Sequence, residues 1–181
     1  TWCTDMAIRF IEEKRDGPWL LSINPFAPHP PFDPPQEYMD KYSAEDMPGP
    51  LFRDSDLERQ KLFREVCQQS IDAVDPNGVN IDPPLGENHK DTATLPPDTF
   101  SGKHVQAAYY AMIELLDDQF GRLVDYLDNI GELENTLIVF HSDHCEMLGD
   151  HGLLYKGCRF FEGLVHVPLM FFWKGQIKSG L

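Results

Sequence analysis

Apolar residues recur every three or four positions along residues 105–129, and this spacing predicts a long amphipathic helix. Five large side chains form its inward face: Met112, Leu116, Phe120, Leu123 and Leu127. Gly131 follows closely and is a typical residue just beyond a helix end. This segment carries the strongest helical signal of the chain.

Two shorter segments show related patterns. Residues 4–16 predict a helix with Thr4 or Asp5 as its N-cap. Residues 55–69 predict a surface helix, because they open with the capping-box pattern Ser-x-x-Glu. Three apolar positions of this second helix are expected to point inward: Leu57, Leu62 and Val66.

Continuous apolar runs predict buried strands at residues 18–23, 135–143 and 167–173. A strand that is apolar almost throughout is typical of a central strand covered on both faces. Helices that alternate with such strands indicate an α/β fold, with a central, mostly parallel sheet flanked by helices.

Two segments have the composition of loops. Residues 28–35 contain five prolines, which remove backbone donors and restrict φ, so the loop around His29 is expected to be stiff. Residues 75–97 are polar and rich in Pro, Gly and Asn, and they predict a long surface excursion within the same domain.

Composition narrows the classes of function. The 181 residues carry a net charge of −15, which argues against binding to nucleic acid or to anionic membranes. No apolar run approaches the roughly 20 residues of a membrane span. The four cysteines form no CxxC pair, and free thiols are expected. An acidic protein that handles an anionic substrate needs a local cation or a metal ion.

The segment "HSDHCEMLGDHGLLYKG", residues 141–157, follows directly on a predicted strand. Ligands of open α/β sheets bind beyond the carboxyl ends of the strands, so Asp143 and His144 are candidate metal ligands. Carboxylate plus imidazole suits Mn²⁺ or Zn²⁺ better than Ca²⁺, which prefers oxygen ligands. An N-cap role for Asp143 and a plain loop role for His144 are equally consistent with the spacing.

Other polar residues of this segment allow two interpretations each. Lys156, between a tyrosine and a glycine, can neutralise an anionic group or be an exposed lysine. His151 can support the site or be a solvated loop residue. Glu146 and Asp150 fit loop or cap acids better than ligands. A zinc set that adds Cys145 and Cys158 to the histidines is disfavoured, because their spacing matches no structural zinc pattern. A zinc-dependent hydrolase that uses His141, Asp143, His144 and His151 is a further hypothesis.

Three segments in order resemble the sulfatases of the alkaline phosphatase superfamily, which includes the phosphonate monoester hydrolases. They are "FIEEKRDGPWLLSINPFAPHPPFDPP", "YYAMIELLDDQFGRLVDYLDNIGELENTLIVF" and "TLIVFHSDHCEMLGDHGLLYKG" with "FFEGLVHVPLMFFWKG". Residues 43–100 are matched least. The resemblance implies that residues 1–181 are part of one sulfatase-like catalytic domain.

The resemblance also implies roles for individual residues. Asp143 and His144 match the tandem metal ligands of the family, for which Ca²⁺ is the usual metal. Lys156 matches the lysine that contacts the substrate sulfate, and His29 matches the histidine that binds sulfate or assists the leaving group. His151 is expected to support substrate binding. The implied substrate is a sulfate ester of a small molecule or a glycan.

The chain departs from the family pattern in two places. Cys145 stands where the family usually has glycine, so a strained turn is expected there. The motif C/S-x-P/A-x-R, whose first residue becomes the formylglycine nucleophile, does not occur, and the N-terminal acidic metal ligands are also missing. We therefore expect an internal segment of a longer sulfatase, inactive in isolation. The alternatives are a phosphonate monoester or phosphodiester hydrolase and a non-catalytic truncated paralogue.

Overall fold

The computed structural model describes residues 1–63, 73–77, 100–157 and 159–180. Five α-helices lie in these ranges: α1 Trp2–Glu12, α2 Gln36–Met39, α3 Asp54–Lys61, α4 Gly102–Asn129 and α5 Glu162–Val165. Two strands follow α4: β1 Ile138–His141 and β2 Leu169–Phe172. Short 3₁₀ turns occupy Ala44–Asp46, Leu133–Asn135 and Asp150–Gly152. None of the helices described is long and apolar enough to cross a membrane.

Helix α4 packs against α1 and α2, and its prediction is confirmed. It begins three residues earlier than predicted, because the Ser101 hydroxyl accepts a hydrogen bond from the His104 N–H and so caps the first turn. Gly131 has φ of +77° just beyond its end, a backbone conformation that glycine adopts freely. The Arg122 guanidinium bonds Asp5 of α1 at 2.8 Å and so joins the two helices.

The main core connects α4 to the two loops that carry candidate site residues. Its buried side chains are Phe32, Phe100, Val105, Ala108, Met112, Leu154 and Tyr155. Phe32 lies three residues after His29, and Leu154 and Tyr155 directly precede Lys156. Both loops are therefore held against the N-terminal half of α4 by apolar packing.

Leu154 provides a test of this core, because its side chain is fully buried. The change Leu154→Ala is expected to lower the free energy of unfolding by about 2–5 kcal/mol, through lost burial and a cavity. Leu20→Ala is the matched control, since Leu20 is 91% exposed, and it should change stability by less than about 0.5 kcal/mol. Urea denaturation measures both, and equal effects would contradict the assignment of this core.

The sheet that the structure describes is smaller than the predicted one, and a central, mostly parallel sheet stays a prediction. Within the described ranges β1 and β2 form a two-stranded antiparallel pair, with Val139 opposite Phe171. Phe120 of α4 packs on Phe140 with ring centroids 5.6 Å apart, so one face is partly covered. Val139 and Phe171 are 44% and 54% exposed on the other face. An apolar run indicates a strand suited to burial but does not encode its direction, which is set here by the chain reversal between the strands.

The shorter segments also differ in detail. Residues 18–23 form no strand, and within the described ranges they have no strand partner. Helix α1 begins at Trp2 with Thr1 as N-cap, so Thr4 and Asp5 lie inside the helix rather than at its cap.

Helix α3 is shorter than predicted, and its buried face is polar rather than apolar. It begins at Asp54, and the Asp56 carboxylate accepts a hydrogen bond from the Arg53 N–H at 2.9 Å. Asp56 and Gln60 are buried while Leu62 is 77% exposed, so the inward face is polar. Val66 and most of the excursion at residues 75–97 lie outside the described residues.

Candidate functional site

The proline-rich loop fixes the orientation of His29. Its Nδ1–H donates to the backbone carbonyl of Pro30 at 2.9 Å, because a carbonyl oxygen can only accept. With Nδ1 as the donor of this bond, the neutral form of the ring has its lone pair on Nε2. The Phe26 ring lies 4.7 Å from the His29 ring and shields one side of it.

Lys156 contacts the Nε2 atom of His29. Its Nζ lies 2.8 Å from His29 Nε2 and also donates to Glu146 Oε1 at 3.2 Å. The backbone N–H of Lys156 donates to the other oxygen of Glu146, at 2.7 Å. His29 and Lys156 are thus in contact although they are 127 positions apart in the sequence, and the Lys156 ammonium lies beside the His29 imidazole. A positive charge and an imidazole ring therefore lie side by side at this position.

Asp143 and His144 follow β1 and form the second part of the site. His144 Nδ1–H donates to the Cys145 carbonyl at 2.9 Å, which leaves Nε2 free, 3.7 Å from Asp143 Oδ2. Partial desolvation opposes ionisation of Asp143, but backbone N–H groups, His144 and Lys156 outweigh it and lower the pKa of this carboxyl. An ionised carboxylate is the state in which Asp143 would bind a divalent metal, and His144 would bind one through Nε2 in the neutral form of its ring.

The two parts of the site adjoin each other. The His29 and His144 rings have centroids 6.5 Å apart, and the positive charge of Lys156 acts on Asp143. Four residues chosen from the sequence therefore lie together: Asp143, His144, His29 and Lys156. Among the described residues no group of three or more His, Cys, Asp or Glu side chains is arranged to hold a metal ion. Metal binding by Asp143 and His144 stays a prediction.

His151 has other partners. Its ring stacks on Phe161 with centroids 4.5 Å apart, and its Nδ1 lies 3.4 Å from Asp56 of α3. No hydrogen bond or ring contact of the described residues joins His151 to His29 or Lys156. The four-residue zinc set is not assembled in the described structure. A supporting role of His151 in substrate binding stays a prediction.

Cys145, next to the candidate metal ligand His144, differs from what the sequence predicted. Cys145 does not have a positive φ, so the strained turn expected there is absent. The non-glycine residues of positive φ in the described ranges are Leu148 and His151. Burial, followed by the charges of Glu146 and Asp143, raises the pKa of the Cys145 thiol, which disfavours a reactive thiolate. Cys3 and Cys145 are free, and Cys67 and Cys158 lie outside the described residues.

Glu146 was missed as a site residue. It is 5% exposed, and both of its oxygens bond Lys156. Its sequence position alone suggested a loop acid. The spacing of ten residues to Lys156 matches no helix or strand period, so no local pattern points to the pair.

Fold and site together define an α/β protein in which a lysine–histidine pair adjoins two metal-type ligands. The family model described as Sulfatase matches residues 3–180, and the chain belongs to the sulfatase family. The predicted family resemblance, including its place in the alkaline phosphatase superfamily, is confirmed.

Individual relatives match nearly the whole chain. It is 31% identical over 180 residues to an arylsulfatase of Clostridium perfringens, covering 99% of this chain and 33% of that protein. It is 34% identical over 156 residues to the multifunctional alkaline phosphatase superfamily protein PehA of Trinickia caryophylli, covering 86% and 29%. The phosphonate monoester hydrolase of Agrobacterium radiobacter superposes with a TM-score of 0.65 at 29% identity, covering 93% and 31%. The chain thus spans about a third of the length of the curated relatives it matches.

Proposed function

We propose that the protein containing this chain is a sulfuric ester hydrolase that cleaves a sulfate monoester with the help of a divalent metal ion. The observation that carries the proposal is the contact of Lys156 Nζ with His29 Nε2 at 2.8 Å beside Asp143 and His144. Membership of the sulfatase family supports it. This chain supplies two metal ligands and the cation that faces the ester.

Each residue has a physical role in this proposal. Lys156 places a positive charge where charge develops on the sulfuryl or leaving oxygen, and such preorganised charge is effective in a dehydrated site. His29 Nε2 accepts from Lys156 in the structure, and once protonated it donates to the departing alcohol. Asp143 and His144 would hold the metal, Ca²⁺ by family and Mn²⁺ or Zn²⁺ by donor type. The metal supplies Lewis-acid polarisation of an ester oxygen.

Two further parts of the proposal concern segments beyond these residues. The nucleophile is expected to be a formylglycine elsewhere in the protein, since its motif does not occur in the 181 residues. In the complete domain β1 and β2 are proposed to join a larger, mostly parallel sheet. The apolar face that contains Val139 and Phe171 supports this, and mostly parallel sheets commonly include an antiparallel strand.

The second candidate is a phosphonate monoester or phosphodiester hydrolase. It is favoured by the similarity to the solved phosphonate monoester hydrolase, which is 29% identical. An imidazole as second metal ligand is compatible with both reactions. A non-catalytic paralogue that only binds an anion or a metal is the third candidate, and the absence of the nucleophile motif from this sequence favours it.

Relative turnover separates the candidates. The natural full-length protein is assayed with 4-nitrophenyl sulfate and with a 4-nitrophenyl phosphonate monoester under identical metal supply. We expect kcat/KM to be at least about tenfold higher for the sulfate, equivalent to about 1.4 kcal/mol of transition-state preference. The reverse order supports the phosphonate hydrolase. Metal and sulfate binding without turnover of either ester supports the binding protein.

A further inference from the structure

Glu146 is a buried carboxylate whose recorded hydrogen bonds all go to a single residue. Its side chain is 2% exposed. One oxygen accepts from the Lys156 backbone N–H at 2.7 Å, and the other accepts from Lys156 Nζ at 3.2 Å. A carboxylate is costly to bury unless a positive charge and hydrogen bonds compensate it, and Lys156 supplies both.

The two contacts restrict Lys156 at both ends of its side chain. A lysine side chain has four flexible methylenes, and an unrestrained ammonium explores many rotamers. Here the backbone N–H and Nζ are bound to the same rigidly buried group, so the chain between them has few conformations left. The conformation that remains places Nζ 2.8 Å from His29 Nε2.

The environment keeps this carboxylate in place. Met147, the next residue, is 3% exposed and packs with Leu153 and Leu164 in a second apolar cluster. Tyr155, next to Lys156, is buried in the main core. Glu146 and Lys156 thus extend from segments that are both anchored by apolar packing.

We propose that Glu146 is a positioning residue, which fixes the Lys156 ammonium beside His29 for the hydrolysis of the sulfate ester. This role rests on the proposed function, since it explains how the Lys156 ammonium is oriented towards the ester. The alternative is a loop anchor, in which only the bond between the Glu146 carboxylate and the Lys156 backbone matters. Glu146→Gln separates the two, because glutamine retains an acceptor for the backbone N–H but has no charge and offers an NH₂ group towards Nζ.

A double-mutant cycle tests the positioning role. In the natural full-length protein Glu146→Gln is expected to lower kcat/KM for 4-nitrophenyl sulfate by about 10- to 100-fold, as for a misplaced catalytic group. In a Lys156→Ala background the same change is expected to cost less than about twofold, because the group it positions is gone. Independent losses of equal size in both backgrounds would overturn the proposal. Glu162→Gln is the control, since Glu162 is 84% exposed at the start of α5, and it should leave kcat/KM unchanged.

Amine labelling tests the contact without relying on turnover. Acetic anhydride is applied to the folded protein, and acetylation of Lys156 is compared by peptide mass spectrometry with that of exposed Lys103. We expect Lys156 to react more slowly than Lys103 in the wild type, and several-fold faster in Glu146→Gln than in Glu162→Gln. Wild-type labelling at the rate of Lys103 would overturn the proposal, and this measurement requires no variant to fold. A protein that turns over no sulfate ester yet shows the labelling difference refutes the proposed reaction but supports the positioning contact.

Discussion

Lys156→Ala will lower kcat/KM of the natural full-length protein for a sulfate ester by about 100- to 1,000-fold. This is the loss expected when one preorganised donor to a developing oxyanion is removed. The Lys156 ammonium is the group that the structure holds beside His29 Nε2, and its charge also reaches Asp143. The loss should fall mainly on kcat if the charge acts in the transition state, and on KM if it binds the ground-state anion equally well.

The stability of this variant must be measured together with its turnover. Lys156→Ala keeps the backbone N–H that bonds Glu146 but removes the ammonium, and a buried carboxylate that loses its charged partner costs about 3–5 kcal/mol in comparable cases. The double variant Lys156→Ala/Glu146→Gln removes this unpaired charge and should recover much of the unfolding free energy without recovering turnover. Lys103→Ala, on the exposed first turn of α4, is the control for general loss of a lysine. Turnover restored together with stability in the double variant would remove Lys156 from the reaction.

The apolar pattern predicted the elements whose buried side chains repeat along a single segment of the chain. Helix α4 was predicted with an error of three residues, because its inward side chains repeat along one segment. For α3 the pattern pointed to Leu62, whereas the structure buries Asp56 and Gln60. Asp56 is buried because it accepts from the Arg53 N–H and faces His151 across 95 residues of sequence. Such a polar contact between distant segments leaves no periodic signal.

The same distinction applies to the site. Asp143 and His144 were chosen as candidate metal ligands from their place after a strand, since strand ends are where such sheets bind ligands, and that role stays a prediction. The joining of His29 to Lys156 was predicted only through the family resemblance, because proximity between residues 127 apart depends on the whole fold. Glu146 was missed because its contact with Lys156 depends on its burial, and burial of a single carboxylate is decided by the packing of its neighbours.

Asp143→Asn will remove most of the metal-dependent activity, by about 1,000-fold in kcat/KM. Metal ions contribute several kcal/mol of charge stabilisation in ester hydrolysis, and a neutral amide binds divalent cations far more weakly than a carboxylate. The Asp143 side chain is 87% exposed, so the substitution removes no core packing and the unfolding temperature of the apoprotein should not change. Asp117→Asn is the matched control, because Asp117 is an exposed aspartate of α4 distant in sequence from β1.

Metal content decides whether this loss has the expected cause. Elemental analysis of the purified natural full-length protein should show bound divalent metal in the wild type and in Asp117→Asn, and a strong reduction in Asp143→Asn. Excess Ca²⁺, Mn²⁺ or Zn²⁺ in the assay should restore part of the activity of Asp143→Asn, because the free His144 Nε2 and the asparagine oxygen still offer two weaker donors. The ion that restores most turnover also identifies the metal preference. Full metal content together with lost turnover would instead make Asp143 a substrate contact, and the metal would then be held by other residues of the protein.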